Sequence, residues 1–204
     1  MEQTFYFIVV GALIAEYLLS IISAILNVNS ITEELPSQFK GVHDGEEYAK
    51  SQAYLKVKTR FGLLSSTISL AIILVVIHLE LFGYLDGFVR EQTSNPILTG
   101  LLFFAIIFFI NDIINMPFAI YSTFVIEQKF DFNRTTPKTY VLDKLKGYLL
   151  TIILGGGVLA TILFFFDYYG PNGWWIAWLF VALFMIAVQP LFVHVIAPMF
   201  NKFT

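Results

Sequence analysis

The chain has 204 residues, of which 57% are hydrophobic and only 13% charged, with 22 Phe. Charged residues make up about a quarter of an ordinary soluble domain, so this balance excludes a water-soluble globule. The net charge of -3 carries no nucleic-acid signal, and the lack of cysteine excludes disulfides, thiol catalysis and cysteine–zinc sites.

The apolar residues gather into five runs, at about 5–26, 62–81, 97–124, 148–168 and 174–195. Each is close to the roughly 20 residues that a helix needs to cross a bilayer. The fold class expected is all-α: a polytopic membrane protein forming a single membrane domain over 1–204, with an amphipathic or interfacial helix in each of the first and third loops. A removable signal peptide is not expected, because Met1-Glu2-Gln3 is acidic and the run after it is too long.

In the first run Glu16, Ser20, Ser23 and Asn27 recur at intervals of four, three and four. That spacing puts them on one helical stripe, and a carboxylate within a span favours protein or water over lipid. The first loop is broken early by Pro36, Gly41 and Gly45, and then reads as a helix over Glu46–Phe61 with a Glu46–Lys50 pair. The second run opens on Ser65, Ser66, Thr67 and Ser69 and ends near His78 and Glu80, which read as interfacial. Gly83–Pro96 reads as a short loop.

The third run holds the densest polar cluster, Asn111, Asp112 and Asn115, shortly before Pro117. These residues and Glu16 with Ser20 are the candidates for lining a cavity; interhelical hydrogen bonds are the competing account. In the third loop Thr136 can cap a helix and Pro137 fits its first turn, with Tyr140, Val141, Leu142, Leu145, Tyr148 and Leu149 on one face. The triple glycine Gly155-Gly156-Gly157 in the fourth run suggests close helix packing or a hinge. Trp174, Trp175 and Trp178 form an aromatic belt where the fifth run begins, and His194 lies near its exit.

Several separated motifs, in order, resemble those of the CAAX prenyl proteases. They are Glu47-Tyr48-x-Lys50-Ser51-x-x-Tyr54-x-x-x-Lys58-Thr59-x-Phe61, Pro117 with Tyr121-Ser122-Thr123, and Phe124-Val125-Ile126-Glu127. Phe132-Asn133, Asp143-x-x-Lys146, Ala177-Trp178-Leu179-Phe180 and the closing Ile196-Ala197-Pro198-Met199-Phe200-Asn201-Lys202-Phe203-Thr204 complete the set. The resemblance implies an integral-membrane zinc metalloprotease in which helices enclose a water-filled chamber. It marks Glu127, Asn133, Asp143 and Lys146 as family-motif residues, and a prenylated or membrane-protein substrate as partner, beside the bilayer.

Such enzymes hold zinc with His-Glu-x-x-His on a helix, which places both histidines on one face. The histidines here are His43, His78 and His194, with no two within a helical turn. The expectation is therefore the amino-terminal membrane part of such an enzyme, with no catalytic residue, metal ligand or cofactor of its own. Zinc and the catalytic segment would belong to the parent enzyme. A channel, a transporter or a non-catalytic membrane scaffold are the alternative classes. Five Lys or Arg fall in the first loop and five in the third, against one in the second. The positive-inside rule then puts the amino terminus outside and the carboxyl end in the cytoplasm.

Overall fold

The structure, a computed structural model, describes residues 2–32, 34–35 and 44–200. Pro36, Lys40, Gly41 and His43, and the closing residues 201–204, lie outside the described residues. The elements are α1 (Glu2–Ser30), α2 (Gly45–His78), α3 (Leu81–Gln92), α4 (Pro96–Tyr121), α5 (Pro137–Leu150), α6 (Gly156–Tyr169), α7 (Gly173–Leu191) and α8 (Ala197–Phe200). π-Helical turns at Ser122–Glu127, Thr151–Gly155 and Phe192–Ile196 extend α4, join α5 to α6 and join α7 to α8.

Among the described residues four helical runs are long and apolar enough to cross a membrane: Gln3–Ser30, Gly45–His78, Pro96–Glu127 and Pro137–Phe200. The last contains a 3-10 turn, Gly170–Asn172, at which Gly170 takes φ +55°. That conformation is open to glycine and strained for other residues. The chain reverses there, since the Phe165 and Phe180 rings meet at 5.8 Å across the turn. This run therefore supplies two apolar helices, and the expected five are present.

The loops differ from expectation in three respects. Glu46–Phe61 is not a separate interfacial helix, because α2 runs unbroken from Gly45 to His78. Its 34 residues span about 51 Å at 1.5 Å per residue, well beyond the roughly 30 Å hydrocarbon core. The change from polar to apolar residues near Gly62 alters what the helix faces. It does not alter backbone preference, and no proline lies between Gly45 and His78 to stop the ladder. α5 likewise starts where expected, with Thr136 accepting from the Thr139 amide at 3.2 Å, but continues into α6. The second loop, expected to be irregular, contains α3. Glu80, at φ 53°, makes the break between α2 and α3.

The chain forms two compact units, Met1–Tyr84 with Asn111–Arg134, and Leu85–Ile110 with Thr135–Thr204. In the first, α1 meets α2 through paired Tyr17 and Thr67 hydroxyls and through Tyr6 Oη, 3.4 Å from His78 Nδ1. Phe61 of α2 meets the rings of Phe118 and Tyr121 at 6.2 and 5.0 Å.

In the second unit the close approaches are at single glycines. A Cβ on Gly173 would stand 2.5 Å from the Phe165 carbonyl oxygen, and one on Gly100 would stand 2.6 Å from a Leu163 methyl. The triple glycine does not provide the close packing expected of it: a Cβ on Gly156 or Gly157 would meet nothing within 4 Å. Gly155 and Gly156 instead line an apolar groove of about 430 Å³ with Leu98, Leu102, Phe108 and Leu159. Among the described residues the buried apolar ones are Val89, Ile126, Phe130, Ala177 and Ile196, while most large apolar side chains point outward. That arrangement suits a bilayer as solvent.

Candidate functional site

The site is built at the far end of the third apolar run. After the π-helical turn the chain closes tightly: the Phe132 and Asn133 amides both donate to the Glu127 carbonyl, at 2.9 and 3.3 Å. Asp131 adopts φ 59° to make this turn, a conformation that Asp and Asn accept more readily than most residues. Asn133 fixes the turn from within, donating from Nδ2 to Gln128 Oε1 at 3.1 Å. The side chains of Glu127, Phe130, Asp131 and Phe132 are thereby presented to α2.

α2 answers with one stripe. Lys50, Tyr54, Lys58 and Phe61 recur at intervals of four, four and three, and so share a helical face. Lys58 Nζ donates to Tyr54 Oη at 2.6 Å and to Glu127 Oε1 at 3.4 Å, and Tyr54 Oη also lies 3.4 Å from that carboxylate oxygen. The Tyr54 ring sits edge-on to Phe130 and Phe132, with centroids 5.6 and 4.8 Å away. Lys50 pairs with Asp131 at 2.7 Å, across 81 residues, and not with Glu46 one turn away. The hydrogen bond and positive charge of Lys50 hold the Asp131 carboxyl below its ordinary range. Ile126 and Phe130 are buried beneath. This is a joint: Lys58 links Tyr54 and Glu127 and so ties α2 to the end of α4.

The second unit has a smaller joint. Lys146 Nζ donates to Asp143 Oδ1 at 3.1 Å and to the Met199 carbonyl at 2.8 Å, and stands 5.4 Å from the Phe200 ring centroid. Met199 lies on α8, so this lysine ties α5 to α8 through a backbone carbonyl. Glu127 and Asn133 thus belong to one unit, Asp143 and Lys146 to the other.

The candidate cavity residues lie on α1 and α4. Glu16 and Ser20 are exposed one turn apart on α1. Asn115 Nδ2 donates to the carbonyl and side-chain oxygens of Asn111 at 2.7 and 3.0 Å, and Asp112 beside them is half-buried. Among the described residues no group of three His, Asp or Glu side chains converges as a metal site needs. His78 faces Tyr6, and His194 is exposed on the turn Phe192–Ile196. The described residues do not fit a zinc site.

The sequence motifs named most members of the two joints but missed Phe130 and Asp131, and they did not say who meets whom. The four-four-three spacing of Lys50, Tyr54, Lys58 and Phe61 was the available signal for a shared face. No periodicity pairs Lys50 with Asp131 or Lys146 with Met199, because those contacts join separate elements.

Long apolar helices, one of them reversing at a glycine turn, with a charged and aromatic joint at the end of the third, define an all-α polytopic membrane domain. The family described as CAAX prenyl protease N-terminal, five membrane helices, matches residues 24–202, and the chain belongs to that family. It is 31% identical over 207 residues to the CAAX prenyl protease 1 homolog of Arabidopsis thaliana, covering 96% of this chain and 48% of that protein. The Oryza sativa subsp. japonica homolog is 32% identical over 177 residues, covering 83% of this chain and 42% of that protein. The crystal structure of S. mikatae Ste24p superposes with a TM-score of 0.85 at 26% identity, covering 98% of this chain and 48% of that one. The chain spans less than half the length of these relatives.

Proposed function

We propose that this chain is the chamber-forming amino-terminal membrane domain of a CAAX prenyl protease-type zinc metalloendopeptidase acting on prenylated carboxyl termini or on membrane proteins. Residues 1–204 act as one membrane domain in this reading. They supply wall and substrate surroundings, while zinc, its ligands and the catalytic carboxylate come from a segment outside 1–204. The observation that carries the reading is the family match over residues 24–202. Glu16, Ser20, Asn111, Asp112 and Asn115 line the water-accessible interior, because a charged side chain at mid-bilayer costs about 2.5–3.5 kcal/mol on insertion scales. The basic first and third loops face the cytoplasm, and the amino terminus faces outward.

The test is a chimera in which this chain replaces the corresponding region of the Arabidopsis thaliana homolog. Cleavage of a prenylated peptide is expected. A chimera that inserts and folds but leaves the peptide intact argues against the proposal, and ion flux through liposomes bearing this chain alone would favour the transport class. Orientation is read separately in the cysteine-free background. Cys at Ser94 or Asn172 should react with an impermeant reagent on intact cells, and Cys at Lys129 should not.

A further inference from the structure

α3 carries two faces. Leu81, Tyr84, Leu85, Phe88 and Val89 fall at i, i+3, i+4, i+7 and i+8, which is one apolar side of a helix. Asp86 and Arg90 lie on the other side and pair with each other at 2.7 Å, with Gly83 and Gly87 beside them. The apolar side is wider than the protein covers. Val89 is only 1% exposed, whereas Leu81, Tyr84 and Phe88 are 41%, 74% and 56% exposed.

What meets the open part of this face is set by the helix's tethers. α2 ends at His78 and α4 begins at Pro96, and both belong to runs long and apolar enough to cross the membrane. Only residues 79–80 and 93–95 separate α3 from them, so neither end of a 12-residue helix, about 18 Å long, can move far from the bilayer edge. A helix so tethered, with an apolar stripe on one side and an ion pair on the other, matches the pattern of interfacial helices. Tyr84 suits the headgroup level, where its ring is buried and its hydroxyl stays wet.

We infer that α3 is an in-plane membrane helix whose Leu81–Tyr84–Phe88 face lies in the headgroup–acyl boundary, with Asp86 and Arg90 toward water. It anchors the connection between the second and third apolar helices at a fixed depth. The inference stands apart from the protease reading. It adds an in-plane helix in the second loop to the helices that the sequence places in the first and third.

The test uses the whole chain in phospholipid vesicles, with a nitroxide attached to a single Cys at Leu81, Tyr84, Phe88 or Arg90. Collision of the label with oxygen, which concentrates in lipid, is compared with collision with a water-soluble nickel chelate. Labels at Tyr84 and Phe88 should favour oxygen several-fold more than the label at Arg90. Leu81 repeats the measurement should a label at Tyr84 or Phe88 disturb the fold, which circular dichroism would reveal. Nickel accessibility at these sites equal to that at Arg90 would mean the face is in water. Shielding from both reagents would mean another protein surface covers it. Either outcome overturns the inference.

Discussion

The joint between α2 and the end of α4, and the hairpin of α6 with α7, hold distant residues together by different means. At the joint the partners are long charged and aromatic side chains: Lys50 with Asp131, Lys58 and Tyr54 with Glu127, and Tyr54 against Phe130 and Phe132. In the hairpin the contact is backbone against backbone, at Gly173 under the Phe165 carbonyl, with Phe165 and Phe180 closing above it. The contrast follows the solvent expected for each. The first half of α2 is polar, and attraction there must come from charge pairs and rings that also tolerate water. Within an apolar helix pair, lipid competes equally for every methyl group, so helices associate by fitting closely at small residues.

The contrast can be broken at four places. The largest effect is expected at Gly173, where the clash is with backbone and cannot be relieved by a rotamer. Gly173→Ala should destabilise the protein by about 1–3 kcal/mol, as overpacked sites do, measured by detergent-denaturant titration of the α6–α7 unit. An unchanged midpoint would mean that the hairpin is not held by this approach.

Next comes Glu127. Its removal in Glu127→Ala leaves Lys58 and Tyr54 without their shared acceptor, for a loss of about 1–2 kcal/mol. A double-mutant cycle of Lys58→Met with Glu127→Gln should give a coupling of at least about 0.5 kcal/mol. Additive single effects would show that the contact is incidental.

The third change sharpens the comparison by going the other way. Gly156→Ala meets no neighbour within 4 Å, and alanine is the better helix former by about 1 kcal/mol. It should leave stability unchanged or raise it slightly, whereas loss as large as that of Gly173→Ala would mean that the triple glycine packs closely after all.

The smallest effect belongs to Lys50 and Asp131, an exposed pair. Because Lys50 lowers the Asp131 carboxyl's folded-state pKa, its contribution is present above the ordinary carboxylate range and fades as pH falls through the lowered value. Asp131→Asn should therefore flatten the acid limb of the stability profile slightly and remove its salt dependence. A profile that keeps both features would assign them to other carboxylates.

Much of this was legible in the residues. The Thr136–Pro137 start of α5 was readable because capping chemistry is local. The Lys50, Tyr54, Lys58 and Phe61 stripe was readable because helical spacing is local too. The Glu46–Lys50 pair expected from the same kind of spacing did not form, since a bonded partner 81 residues away was available to Lys50. α3 escaped notice because its twelve residues hold two glycines and three charges, which look like loop composition until they are placed on a helix.

Sequence by itself determined the number and order of the apolar helices, the family motifs and the absence of cysteine chemistry, because these depend on composition and short-range periodicity. Tertiary structure decided the rest. It made α2 one helix instead of two, gave Lys146 the Met199 carbonyl, put close packing at Gly100 and Gly173 in place of the triple glycine, and left the Leu81–Tyr84–Phe88 face open. The reason is physical: which glycine lies under a neighbouring backbone, and which lysine reaches which oxygen, depends on where a second element lies, and no local pattern carries that information.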